Sequence, residues 1–267
     1  MSEQRKYFAK DAEFYDELER TRLREQEWDP ATICRLLDLG VSEGWRCLEV
    51  GAGGGSIARW LAERVGTRGH VVVIDIDTRF LNALDAPNIE VRCQDITKDD
   101  PEADVYDLVH CRCLLMHLAD PASIVRRFMR ALKPGGWVLL EECDSVTWAA
   151  IDRSHPLAQV HNATIPKIFE YWRTAHVMDL LLGRSLPAML DELGMIEVRN
   201  EGTARVLRGG DPWALYMEKS FQRTDNALLA KGVLTNAEIA DRRRALEDPT
   251  CYFRDLLYDA SWGRRPA

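Results

Sequence analysis

Long apolar runs are missing from this 267-residue chain. No stretch of roughly 18 apolar residues occurs, so no transmembrane helix and no membrane partner are expected. The first six residues, Met1 to Lys6, lack the apolar centre of a secretory signal, which makes the cytoplasm the expected compartment. Positive charge is also scarce: 35 basic against 43 acidic residues leave a net charge of −8. A nucleic-acid binder is expected to carry a basic surface, so no nucleic-acid partner is expected. The Arg242-Arg243-Arg244 run reads as a solvated helix face. Cys-x-x-Cys pairs are absent. The seven cysteines (Cys34, Cys47, Cys93, Cys111, Cys113, Cys143 and Cys251) lie mostly in apolar runs. They read as buried free thiols, with no metal site and no disulfide framework. Internal repeats and low-complexity linkers are absent too.

What the chain does contain is an alternation of strand and helix patterns from about residue 45. Strands are predicted over 45–50, 70–75, 89–93, 106–110 and 137–142, and helices over 56–65, 78–84 and 121–132. The run 70–75, His-Val-Val-Val-Ile-Asp, is the continuous β-branched type expected when both faces of a strand are covered. Such alternation predicts an α/β doubly wound, Rossmann-like sheet, mostly parallel, with helices on both faces. Four segments are expected: an N-terminal helical cap over 1–44, a nucleotide-binding core over 45–144, a helical lid over 145–185, and a C-terminal part of the sheet with a helical insertion over 186–267. Within the cap, Asp29-Pro30 reads as the start of a helix over 31–39, with Asp as N-cap and Pro at the first position. A sixth strand is predicted over 196–207 with a bulge at Gly202, and a last strand over 251–261.

The most informative segment is Cys47-Leu48-Glu49-Val50-Gly51-Ala52-Gly53-Gly54-Gly55-Ser56. A strand that turns through glycines into a helix brings backbone and helix N-terminus close to a bound nucleotide. A dinucleotide site requires Gly-x-Gly-x-x-Gly, and counted from Gly51 its last glycine falls on Ser56. Glu49, at the strand's end, would repel a pyrophosphate and suits a ligand with a cationic or amine-bearing tail. Asp75 ends the second strand, where a carboxylate accepts both ribose hydroxyls. Gln94-Asp95-Ile96 follows the third strand, where a carboxylate can accept from an adenine amino group and Ile96 can lie against the ring. Together these describe a site for an adenosine with no phosphate and a positively charged tail.

With those elements in hand, the chain resembles the class I S-adenosylmethionine-dependent methyltransferases of the small-molecule type. The resemblance covers residues 45–144. It rests on the glycine motif from Glu49 to Gly55, on Ile74-Asp75-Ile76, on Gln94-Asp95-Ile96, on Tyr106-Asp107-Leu108-Val109-His110, and on the Leu132-Lys133-Pro134-Gly135-Gly136 turn. It implies a seven-stranded sheet with a terminal antiparallel strand and a helical lid, and S-adenosylmethionine as cofactor. It also implies residue roles. Gly51, Ala52 and Gly53 would pass close to the methionine part, and Glu49 would help to anchor its ammonium. Asp75 would hold the ribose hydroxyls with Ile76 under the adenine, and Gln94, Asp95 and Ile96 would meet its edge. His110, Cys111 and Arg112 would line the tail.

Methyl transfer from a sulfonium needs alignment and exclusion of water more than it needs a catalytic side chain. His117 and Asp144 are the candidate catalytic groups, each with an ordinary structural alternative, packing for His117 and loop capping for Asp144. The expected acceptor is a small organic molecule, methylated at oxygen, nitrogen or carbon. A second reading keeps the cofactor but replaces methyl transfer with ring closure or a related reaction. Either a monomer or a homodimer is compatible with the sequence.

Overall fold

In the computed structural model residues 13–267 are described; the reading of residues 1 to 6 therefore lies outside them. Chain order begins with α1 (Phe14–Asp38), β1 (Arg46–Val50), α2 (Ser56–Val65), β2 (His70–Asp75), β3 (Ile89–Cys93), β4 (Tyr106–Arg112), α3 (Pro121–Ala131) and β5 (Leu132–Asp144). It continues with β6 (Ala149–Ala150), α4 (Ala158–Thr174), α5 (Leu186–Glu192), β7 (Ile196–Thr203), β8 (Val206–Arg208), α6 (Pro212–Ala230), α7 (Asn236–Glu247), β9 (Tyr252–Arg254) and β10 (Leu257–Arg264). Seven strands form one sheet in the order β3-β2-β1-β4-β5-β10-β7. β1 to β5 pair in parallel, while β10 runs antiparallel to both neighbours. The expected mostly parallel sheet with an antiparallel C-terminal strand is what forms.

Period-two alternation explains the layers. Leu48, Val50, Val72, Ile74 and Val109 face one buried core, which also holds Trp28, Phe128, Trp172 and Trp213. Cys47, Val71, Val73, Leu108 and Leu139 face the other, against Leu36, Ile57, Leu61 and Val65. Helices thus cover both faces of β1, β2, β4 and β5. The edge strands β3 and β7 expose most of their residues.

Four expectations are corrected. α1 is continuous from Phe14 to Asp38 with Pro30 inside it, because Asp29 is an ion-pair partner of Arg112 (2.8 Å) rather than an N-cap. The segment 196–207 splits into β7 and β8, which belong to different sheets; Gly202 stays in register opposite Asp259, and the irregularity falls between Trp262 and Arg264. The last strand divides in the same way, β9 joining β6 and β8 in a small second sheet. Arg242 is wholly buried, paired with Glu218 (3.2 Å) and Asp225 (2.7 Å), because α7 packs that face against α6. Among the thiols, Cys34 and Cys93 are exposed and the other five are buried. No helix among the described residues is long and apolar enough to cross a membrane.

Candidate active site

The sheet order places a topological reversal between β1 and β4. The chain winds outward through β1, β2 and β3, then returns to lay β4 beside β1. Ligands of open α/β sheets bind beyond the carboxyl ends of the strands at such a point. A cavity of about 460 Å³ opens there, within the size range of small-molecule sites. Its floor comes from the ends of β1, β2, β4 and β5, and its roof from α1 and α6.

The glycine turn shapes the floor. Gly51, Gly53 and Gly55 have φ of +74°, +58° and +81°, the left-handed region that side chains disfavour. A Cβ on Gly53 would stand 2.6 Å from Nη2 of Arg24, so the guanidinium rests on bare backbone. The Gly53 N–H donates to Asp75 Oδ2 (3.1 Å), and the Asp77 N–H donates to Asp75 Oδ1 (2.9 Å). Burial raises the Asp75 pKa, although both amides oppose the shift. The carboxylate is held by two amides at the cavity edge with lone pairs left for hydroxyl donors.

Of the residues singled out in the sequence, Gly51, Gly53, Asp75, Ile76, Gln94, Asp95, Ile96 and His117 line this cavity. Ile76 is 49% exposed, an apolar side chain with one open face. Asp95 accepts from the Thr97 N–H (3.0 Å), Thr97 Oγ1 (2.6 Å) and Lys98 Nζ (2.7 Å). Partial burial pushes its pKa upward, but Lys98 and Thr97 outweigh that and hold it at about 2. His117 is buried, with Nδ1 3.3 Å from the Val177 carbonyl.

The remaining candidates lie off the cavity. Glu49, His110, Glu141 and Arg35 form a buried chain beneath the glycine turn. His110 Nδ1 stands 2.6 Å from Glu49 Oε2 and its Nε2 3.1 Å from Glu141 Oε2. Arg35 Nη1 donates to Glu141 Oε1 (2.9 Å), and Thr32 Oγ1 donates to Glu141 Oε2 (2.7 Å). Burial alone would strip the His110 proton, but the two carboxylates outweigh it and raise the pKa to about 9. Glu141 is pushed upward by burial, yet His110 and Arg112 hold it at about 2. Glu49 Oε2 is thus engaged by His110, and Glu49 does not line the cavity. Cys111 is buried in the sheet, and Arg112 is turned to Asp29 and Thr32 (3.0 Å) of α1. Ala52 is half-buried and does not line the cavity. Asp144 is 2% exposed, ion-paired with Arg184 (2.5 Å) and accepting from the Val146 N–H (2.9 Å), which leaves it a capping residue.

Three further contributors complete the cavity. Arg24 lies on the roof over Gly53 and makes no hydrogen bond or ion pair with any described residue, its Nε buried without a partner. Glu142 accepts from the N–H groups of Leu114 (3.0 Å) and Leu115 (2.7 Å), fixing the turn after β4 that forms the cavity lip. The aromatic roof, Trp28, Trp172, Trp213 and Tyr216, comes from α1, α4 and α6. Helical periodicity places these rings inside, but only packing shows that they meet over one cavity.

A methyltransferase-domain family model matches residues 5–195. Among curated relatives, the ubiquinone biosynthesis O-methyltransferase of Paracidovorax citrulli is 36% identical over 122 residues, 42% of this chain and 49% of that protein. Methyltransferase str2 of Strobilurus tenacellus is 34% identical over 116 residues, 42% of this chain and 39% of that protein. The chain thus spans about half the length, or less, of these relatives. The fold resembles that of phosphoethanolamine N-methyltransferase 2 from Haemonchus contortus in complex with S-adenosyl-L-methionine, with a TM-score of 0.62 and 16% identity over 97% of this chain and 59% of that one. The chain belongs to the methyltransferase-domain family and has the fold of its class I S-adenosylmethionine-dependent members.

Proposed function

We propose that this chain binds S-adenosylmethionine in the cavity and catalyses transfer of its methyl group to a small organic acceptor. The observation that carries the reading is the convergence of a bare glycine turn, the Asp75 carboxylate and the unpaired Arg24 guanidinium on one cavity wall. Arg24 makes no ion pair with any described residue, and the amino-acid carboxylate of the cofactor is the anion suited to pair with it. Asp75 accepts the ribose hydroxyls, and Ile76 supports one face of the adenine. Gln94, Asp95 and Ile96 border its edge. Gly51 and Gly53 leave room for the tail. Glu49 and His110 act from below, stiffening the strand that leads into the turn.

When bound, the cofactor supplies an electrophilic methyl group on a sulfonium leaving group, suited to in-line displacement. The residues of this chain then align the acceptor, exclude water and hold the proton. His117 is the candidate proton acceptor in the cavity. Its ring lines the cavity with Nδ1 3.3 Å from the Val177 carbonyl. With a protic acceptor, His117 would be the group that takes its proton.

The test is Arg24→Met, titrated with S-adenosylhomocysteine and with adenosine. Loss of a charge-assisted bond costs about 1.5–3 kcal/mol, so affinity for S-adenosylhomocysteine should fall at least tenfold while adenosine binding stays unchanged. An equal loss for both ligands would show that Arg24 shapes the fold and does not hold a carboxylate.

A further inference from the structure

The inner end of the cavity has a chemistry of its own. Trp172 donates its indole N–H to Thr224 Oγ1 (2.9 Å), and Trp213 donates to Asp255 Oδ1. Both rings therefore satisfy their polar edge inside the protein and offer carbon to the cavity. Met116, Met178 and Leu180 extend that apolar lining. Charge at this end is internally balanced. Arg20 is paired with Glu17 in a two-bond contact (2.6 and 2.9 Å) and donates to Ser220 (3.2 Å), with Arg20 and Glu17 both nearly fully buried.

Tyr216 differs from its neighbours. It is 8% exposed and lines the cavity, and its hydroxyl has no hydrogen-bond partner among the described residues. Its ring is fixed. Trp213 stacks on it with centroids 4.4 Å apart and planes 15° apart, and the Arg20 guanidinium lies 5.2 Å from the ring centroid. A rigid ring therefore presents a hydroxyl that is open to the cavity and makes no hydrogen bond with any described residue. A hydroxyl that faces the cavity is both donor and acceptor, so a ligand that enters can take it as a hydrogen-bond partner.

Resting on the cofactor reading above, we propose that the acceptor is an uncharged, largely apolar ring compound that packs in this aromatic chamber and takes the Tyr216 hydroxyl as its orienting hydrogen bond. A cationic amine has to leave water for walls of Trp172, Trp213, Met116, Met178 and Leu180, where Glu17 is already paired with Arg20. An anionic acceptor meets an Arg20 already neutralised by Glu17, and Arg24 sits at the glycine turn, where the cofactor's carboxylate belongs. A neutral ring meets the aromatic walls without that desolvation cost.

The experiment titrates the protein, saturated with S-adenosylhomocysteine, with 1-naphthol, 1-naphthoate and 1-naphthylmethylamine at pH 7 by calorimetry. 1-Naphthol should bind at least tenfold more tightly than either charged probe. Tyr216→Phe should weaken 1-naphthol about three- to tenfold, the value of one hydrogen bond, with S-adenosylhomocysteine affinity unchanged. A charged probe binding as tightly as 1-naphthol would overturn the inference, as would a Tyr216→Phe variant indistinguishable from wild type towards 1-naphthol. Failure of S-adenosylhomocysteine itself to bind would instead overturn the cofactor reading on which the inference rests.

Discussion

At the scale of single residues, the partner of a side chain decides its role. Glu49 and Asp75 both end strands of the same sheet, and both read from sequence as ligand contacts. Asp75 lines the cavity, and its two hydrogen-bond partners there are backbone amides. Glu49 lies off the cavity, with His110, 61 positions away in sequence, against its carboxylate. His117 and Asp144 divide in the same manner, Asp144 being taken by Arg184. For His117 the expected outcome of substitution by alanine is a turnover lower by about 10²–10⁴, with unchanged affinity for S-adenosylhomocysteine. A pH-rate profile checks this, since wild type should lose activity on the acid side as the imidazole is protonated. Identical profiles for the two proteins would remove His117 from the chemistry.

At the scale of elements, α1 is the least predictable and the most consequential. Proline inside a helix costs about 3 kcal/mol or more, and on local grounds the helix should begin at Pro30. Long-range anchors hold it as one piece. Asp29, Thr32 and Arg35 are bound to Arg112 and Glu141 of the sheet, Thr32 and Glu141 being 109 positions apart. No local pattern encodes such pairs, which is why the helix boundary was hidden. The strands at 70–75 and 89–93 and the helix at 56–65 were legible because each carries its own period and punctuation. The segment 196–207 kept a strand pattern throughout, but alternation cannot say that its two halves join different sheets.

The buried chain also predicts a pH dependence. The His110 pKa is raised in the folded state to about 9. Its contribution to stability is therefore complete below the unfolded value near 6.5 and is lost as pH rises through about 9. His110→Asn leaves Glu49 and Glu141 facing a neutral group. It should cost about 3–5 kcal/mol at pH 7, the range for breaking a buried pair, and distinctly less at pH 10. Urea unfolding at both values checks it, and an equal loss at the two pH values would show that His110 contributes packing without charge.

At the scale of the whole molecule, sequence-distant segments build one cavity. β1, β2, β4 and β5 supply a floor at the point where strand order reverses, and α1 and α6 close over it from opposite ends of the chain. The floor was readable because glycines, carboxylates and strand ends recur in a fixed order along one stretch. A helical cover was readable too, but not which of its aromatics face the cavity, because an aromatic at helical spacing looks the same whether it faces a core or a ligand. The molecule is thus a nucleotide-binding sheet under an apolar lid, and the identity of the nucleotide is its central claim. Calorimetric titration of wild type and Asp75→Ala with S-adenosylhomocysteine, with NAD as the comparison ligand, tests that claim most directly. Wild type should bind S-adenosylhomocysteine at a single site and give no heat with NAD, and Asp75→Ala should lose about 1.5–3 kcal/mol of that binding. No heat with S-adenosylhomocysteine, or an affinity unchanged in Asp75→Ala, would contradict it.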